Sequence, residues 1–129
     1  ELLAGGEPLT ESCYSCTVLY NPASESKVSQ QEIFGPVISV TPYSDIDEAI
    51  AKANALPYAF QAAVFTQKID SALHAYRNLD ASAVMVNDHT AFRVDWMPFA
   101  GLRQSGLGVG GIPHTLHDMQ VSKMIVMNG

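Results

Sequence analysis

Between residues 37 and 86, short β-branched runs alternate with apolar stripes at helical spacing, and this double periodicity restricts the chain to an α/β fold. Val37-Ile38-Ser39-Val40 follows Gly35-Pro36 and precedes a polar segment, which predicts a buried strand. Ser44 and Asp45 then offer helix caps, and Asp47 and Glu48 complement the dipole of a first turn. Ile46, Ala49, Ile50, Ala53 and Leu56 fall on one helical face, and Pro57 stops the helix. The layout repeats. Ala62-Ala63-Val64-Phe65 predicts a strand, Ile69, Leu73, Tyr76 and Leu79 a helical stripe, and Ala83-Val84-Met85-Val86 another strand. Connections this short favour parallel strands joined by right-handed crossovers, hence a partial parallel βαβαβ sheet. Further on, Pro113 to Met119 predicts a short helix, and Val121, Ile125 and Val126 a last strand.

Composition narrows the class. The 129 residues are 47% hydrophobic and 16% charged, a globular balance with enough chain to bury a core. Seven Lys and Arg against 13 Asp and Glu give a net charge of −6, which argues against nucleic acid and anionic membrane surfaces as partners. No apolar run approaches the ~18 residues of a membrane span, and ELLAGGEPLT lacks the basic and apolar regions of a secretion signal. Cys13 and Cys16 are too few for a disulfide framework. A reducing, cytoplasmic setting is therefore expected. The opening at Glu1, without Met and inside an apolar phrase, reads as a cut in a longer chain.

An open α/β sheet binds ligands at the carboxyl ends of its strands, which directs attention to the segment from Asn87 to Gly111. This exceeds the ~12–15 residues usual for a structureless connection, and it holds His89, Phe92, Arg93, Trp96 and Phe99. Among those aromatics, the Arg93 guanidinium serves either to grip an anionic ligand or to stack for packing. Other patterns are weaker. Gly106, Gly108 and Gly111 satisfy G-x-G-x-x-G, but no buried strand precedes them and no acidic residue follows at the spacing a dinucleotide site uses. Cys13-x-x-Cys16 leads into an extended segment instead of a helix, so ordinary thiols are expected. His114, His117 and Asp118 lack the further ligand a metal shell needs, and no metal is expected. Asp88 sits at a strand end like the acceptor of a receiver domain, but the acids that would hold a cation beside it are missing. Glu32, from spacing alone, is a surface acid before a turn.

Five motifs in order resemble one family: Gln31-Glu32-Ile33-Phe34-Gly35-Pro36-Val37, Asn54-Ala55-Leu56-Pro57-Tyr58 with Ala62 to Thr66, Val86-Asn87, Pro98-Phe99-Ala100-Gly101, and Gln104-Ser105-Gly106-Leu107-Gly108. The chain resembles the carboxyl-terminal part of the catalytic domain of the aldehyde dehydrogenase superfamily. In that family a cysteine thiolate attacks the aldehyde, hydride passes to NAD or NADP, and glutamate-activated water hydrolyses the thioester. The resemblance implies that this cysteine, this glutamate and the cofactor domain lie upstream, so the 129 residues hold no catalytic nucleophile or base and are expected to be inactive alone. Glu32 resembles the glutamate that binds the nicotinamide-side ribose, and Phe34 the aromatic beside the nicotinamide. Phe99 matches the aromatic wall of the aldehyde tunnel. Thr90, Phe92 and Arg93 fall in the loop that tunes substrate choice, where a positive group implies a small anionic aldehyde. Residues 1–120 correspond to catalytic domain and 121–129 to an oligomerisation strand, which implies a dimer or tetramer. Two departures, Ala100 for the usual first glycine of P-F-G-G and Val109-Gly110 for the common Arg-Glu, bear on subfamily. The rival reading is a free-standing, non-catalytic α/β module for interaction or regulation.

Overall fold

A computed structural model describes residues 1–129 and divides them into two compact units, Glu1–Ala49 and Ile50–Gly129. Their elements, in chain order, are β1 (Leu2–Ala4), β2 (Thr17–Tyr20), α1 (Lys27–Gln30), β3 (Val37–Val40), α2 (Ile46–Asn54), β4 (Tyr58–Ala59), β5 (Gln61–Val64), α3 (Ile69–Asn78), β6 (Ala83–Val86), β7 (Leu102–Arg103) and α4 (Ile112–Asp118).

The first unit holds a three-stranded sheet in the order β1-β2-β3, antiparallel on one side and parallel on the other. Val37 to Val40 aligns with Thr17 to Tyr20 in a continuous parallel register. Thr17 is buried, and its hydroxyl accepts from the Gly6 N–H at 2.9 Å while donating to the Ser15 carbonyl at 2.9 Å, so a polar atom inside the sheet is fully partnered. Gly5, at φ +70°, passes so close that a Cβ there would lie 2.1 Å from the Cys16 carbonyl oxygen. Cys13 and Cys16 are free, exposed thiols in the loop that leads into β2.

The helix that joins the units starts as its sequence dictates. The Asp45 carboxylate accepts the Asp47 N–H at 2.7 Å, and its carbonyl takes the Ala49 N–H at 3.2 Å. Ile50 is its buried residue, in the middle of the predicted stripe.

In the second unit β5 and β6 run parallel, with Gln61 to Val64 opposite Ala83 to Val86, joined through α3 as a βαβ crossover. The strand predicted at 62–65 is thus shifted by one residue, and Phe65 is exposed. β4 and β7 form a separate antiparallel pair that the sequence did not announce. β3 and β5 lie in different sheets. A crossover helix fixes the direction of the strands it joins and leaves their adjacency to the other strands present, so the predicted order of strands and helices holds without one continuous ladder.

The helix α3 departs from its predicted face. Ala72 and Ala75 are 4% and 2% exposed, whereas Ile69 and Tyr76 of the apolar stripe are 70% and 64% exposed. Small side chains let the helix approach the β5–β6 pair closely, and the large ones lie on the adjacent strip of the cylinder. Beyond α4, residues 120–129 form no ladder within the chain, and Val121 and Met124 to Met127 are exposed. No helix is long and apolar enough to cross a membrane.

Candidate functional site

In the first unit, Glu32 and Phe34 share the turn that feeds β3. The Gly35 carbonyl accepts the Val37 N–H at 2.8 Å, and the Pro36 carbonyl takes the Thr17 N–H at 2.8 Å, fixing the turn to the sheet. Phe34 sits at φ +52° with its side chain 90% exposed. A bulky aromatic in the left-handed region costs about 1–2 kcal/mol, and here no burial of its ring offsets that cost. Strain of this kind concentrates where a ligand needs a side chain held in place. Glu32 is exposed on the same turn, its carboxylate open to solvent. Both residues lie at the amino end of β3, so the rule that locates ligands at strand carboxyl ends could not have found them. Beneath the turn, an apolar groove of about 580 Å3 is lined by Leu2, Tyr14, Leu19, Ile33, Pro36 and Val37 among others.

In the second unit, the carboxyl end of β6 opens into the long segment expected there, and hydrogen bonds sew that segment down at four places. Asn87, at φ +57°, extends the β5–β6 ladder with its side chain: its Oδ1 accepts the Thr66 N–H at 2.8 Å and its Nδ2 donates to the Thr66 carbonyl at 2.8 Å. The Asp95 carbonyl accepts from Ile112 N–H at 2.9 Å. Phe99 and Gly110 exchange backbone bonds at 3.0 and 2.7 Å. Finally, β7 pairs with β4, and the Ser105 hydroxyl accepts the Ala59 N–H at 3.1 Å. A Cβ on Gly101 would lie 2.4 Å from the Ser105 carbonyl oxygen, so only glycine fits there.

This anchoring leaves residues 90–94 and Phe99 presented together. The Arg93 guanidinium carbon lies 4.0 Å from the centroid of the Phe99 ring, a cation–π stack. Phe99 in turn meets Phe60 edge to face, with centroids 4.9 Å apart and planes at 87°. Thr90 and Phe92 are exposed on the same loop, joined to it by the turn in which the His89 carbonyl accepts the Phe92 N–H at 3.3 Å. Trp96, expected in the aromatic cluster, is instead 70% exposed.

Three side chains hold this arrangement: Asn87, present in the sequence only as part of the Val86-Asn87 motif, and Phe60 and Arg103, which the sequence did not single out. Arg103, at φ +54°, donates to the Asn54 and Leu56 carbonyls at 2.7 and 2.5 Å and pairs with the Asp80 carboxylate. Asn54 joins the same network, donating to the Asn78 carbonyl at 2.7 Å and accepting the Asp80 N–H at 2.9 Å. The carboxyl ends of α2 and α3 are thereby tied to β7. Local sequence carries no signal for contacts 23 to 49 residues apart.

The remaining sequence patterns find other uses. Gly111 stands at the start of α4, but a single bridge at Gly110 precedes it where a dinucleotide fingerprint has a strand. His114, His117 and Asp118 lie on that short helix, all exposed. The Asp88 carboxylate accepts the neighbouring His89 N–H at 2.8 Å.

The chain belongs to the aldehyde dehydrogenase family, whose model matches residues 1–125. It is 38% identical over 115 residues to a 3-sulfolactaldehyde dehydrogenase of Priestia megaterium, covering 89% of this chain and 24% of that protein. It is 36% identical over 128 residues to a lactaldehyde dehydrogenase of Methanococcus aeolicus, covering 27% of its length. Among solved structures, aldehyde dehydrogenase 21 from Physcomitrella patens, in complex with the product succinate, superposes with a TM-score of 0.91 at 34% identity, over 98% of this chain and 26% of that one. A glyceraldehyde-3-phosphate dehydrogenase of Methanocaldococcus jannaschii complexed with NADP gives a TM-score of 0.84 at 33% identity, over 92% and 25% of the two chains. The chain thus spans about a quarter of the length of the curated relatives it matches.

Proposed function

We propose that these residues form the carboxyl-terminal quarter of a cytoplasmic, NAD(P)-dependent aldehyde dehydrogenase that oxidises a small anionic aldehyde to the acid through a cysteine thioester. On this reading the cysteine and its general base lie outside these 129 residues. The stack of Arg93 on Phe99 carries the substrate assignment. A guanidinium lying on a ring keeps its edge N–H groups for a ligand, and their fork matches a carboxylate, sulfonate or phosphonate. Relatives named for sulfolactaldehyde and sulfoacetaldehyde add weight, since both of those aldehydes are anionic, and one named for aspartate semialdehyde acts on an aldehyde that carries a carboxylate.

The turn at Glu32 and Phe34 fits a nicotinamide cofactor. A ring held outward against backbone strain offers a flat face, and a carboxylate two residues earlier suits ribose hydroxyls. Neighbours solved with NADP and with NAD+ support the assignment. When bound, the nicotinamide supplies the hydride acceptor. Phe34 packs beside it and Glu32 orients the sugar, while Phe99 walls the aldehyde and Thr90 and Phe92 border its entrance. Residues 121–129 extend toward a neighbouring subunit, whose sheet would complete the unpaired backbone of this apolar tail.

In the complete enzyme, Arg93→Ala is expected to lower kcat/KM for sulfoacetaldehyde by roughly 10- to 100-fold, the range of one to two lost charge-assisted hydrogen bonds, and to affect propanal far less. Retention of the wild-type preference for the anionic aldehyde would refute the substrate assignment. The intact mass of the natural gene product checks the rest, because a product several hundred residues longer with an upstream cysteine is required.

A further inference from the structure

We infer that Phe60 is a positioning residue for anion selectivity, the brace that holds the Phe99 ring, and through it the Arg93 guanidinium, in register with the substrate. The inference rests on the anionic-aldehyde reading of Arg93. Its own support is a difference in rigidity along the series Phe60, Phe99, Arg93.

Phe60 is the single residue between β4 and β5, so the chain on either side of it is laddered into a different strand pair. Its carbonyl is doubly tied, accepting the Ser82 N–H at 2.7 Å and the Ser82 hydroxyl at 2.8 Å. Phe99 belongs to the long segment and is held by one backbone bridge, to Gly110. Arg93 stands in a stretch of turns with no ladder at all, in which the Val94 carbonyl accepts the Met97 N–H at 3.0 Å. The guanidinium therefore has a long stem with many rotamers on a backbone that joins no ladder, and it lies over the ring at 4.0 Å, which orients it. That ring is 41% exposed and the Phe60 ring 36% exposed, so each takes much of its restraint from their mutual edge-to-face contact at 4.9 Å, and it is the doubly tied backbone of Phe60 that anchors the pair. An aliphatic side chain at 60 would fill the space without the directional preference of a ring pair.

The test uses the complete dehydrogenase with sulfoacetaldehyde and propanal as probes. Phe60→Leu is expected to lower the ratio of kcat/KM for sulfoacetaldehyde over propanal about 5-fold, the scale of one aromatic pair, with the loss falling on KM for the anionic substrate. Phe60→Tyr, which keeps the ring, is expected to restore the ratio. If Phe60→Leu does not fold, Phe60→Met supplies the same comparison. An unchanged ratio in the aliphatic variant, beside a collapsed ratio in Arg93→Ala, overturns the positioning role alone. An unchanged ratio in Arg93→Ala as well overturns the anionic-aldehyde reading on which it rests. A ratio that falls equally in Phe60→Leu and Phe60→Tyr also overturns it, because the ring would then not be what matters.

Discussion

Phe34 shows how one residue's backbone can oppose stability, in line with the cofactor role proposed for it. Its φ of +52° suits glycine, and its 90% exposed ring contributes little burial. Phe34→Gly is accordingly expected to raise the stability of the protein by about 1 kcal/mol through relief of left-handed strain, while KM for the nicotinamide cofactor in the complete enzyme rises. Urea midpoints and cofactor titrations check the two halves, and a variant less stable than wild type would contradict the strain argument. The Glu32 to Pro36 motif was visible in the sequence as a string of letters, and its role followed from resemblance. That Phe34 occupies the left-handed region was not visible, because Gly35 beside it is the residue whose type would suggest that conformation.

Helices and strands were legible wherever the signal was local. The α2 helix begins just after its Asp45 cap and ends short of Pro57 because a cap and a proline act within one turn. The face of α3 was not legible, since two apolar strips lie side by side on it and only the sheet decides which is covered. Ile69→Gln on the more exposed strip, at a position 70% exposed, is expected to change stability by no more than about 0.5 kcal/mol, whereas Ala75→Leu, at a position 2% exposed, should cost about 1–3 kcal/mol by overpacking. Thermal melts of the two variants distinguish this order from the reverse, which the sequence stripe alone would favour. The carboxyl ends of α2 and α3 depend on Arg103. Removing its guanidinium with Arg103→Met is expected to cost about 2 kcal/mol, on the scale of hydrogen bonds to a charged donor. Arg103→Lys should recover only part of that, because one ammonium cannot serve two carbonyls and a carboxylate in the geometry of a planar fork. Equal stability of the lysine variant and wild type in a melt would show that charge alone suffices.

At the scale of the whole molecule, the exposed apolar tail bears on assembly. Val121 and Met124 to Met127 are 76–93% exposed, and an unpaired, hydrophobic stretch of backbone invites a strand from another copy. Deleting residues 121–129 from the complete enzyme is expected to break the proposed dimer or tetramer into smaller species, measured by light scattering after size exclusion. An unaltered mass would place the interface elsewhere.

The sequence by itself determined the α/β class, the alternation of strands and helices from 37 to 86 and the family, because periodicity, caps and motifs act over a few residues. Only the tertiary structure decided which strands pair, which face of α3 is covered, that Arg93 lies on Phe99 with Phe60 against it, and that Arg103 ties three elements together. Those outcomes depend on side chains far apart in the chain competing for the same space and the same hydrogen-bond partners, and no local pattern records who wins.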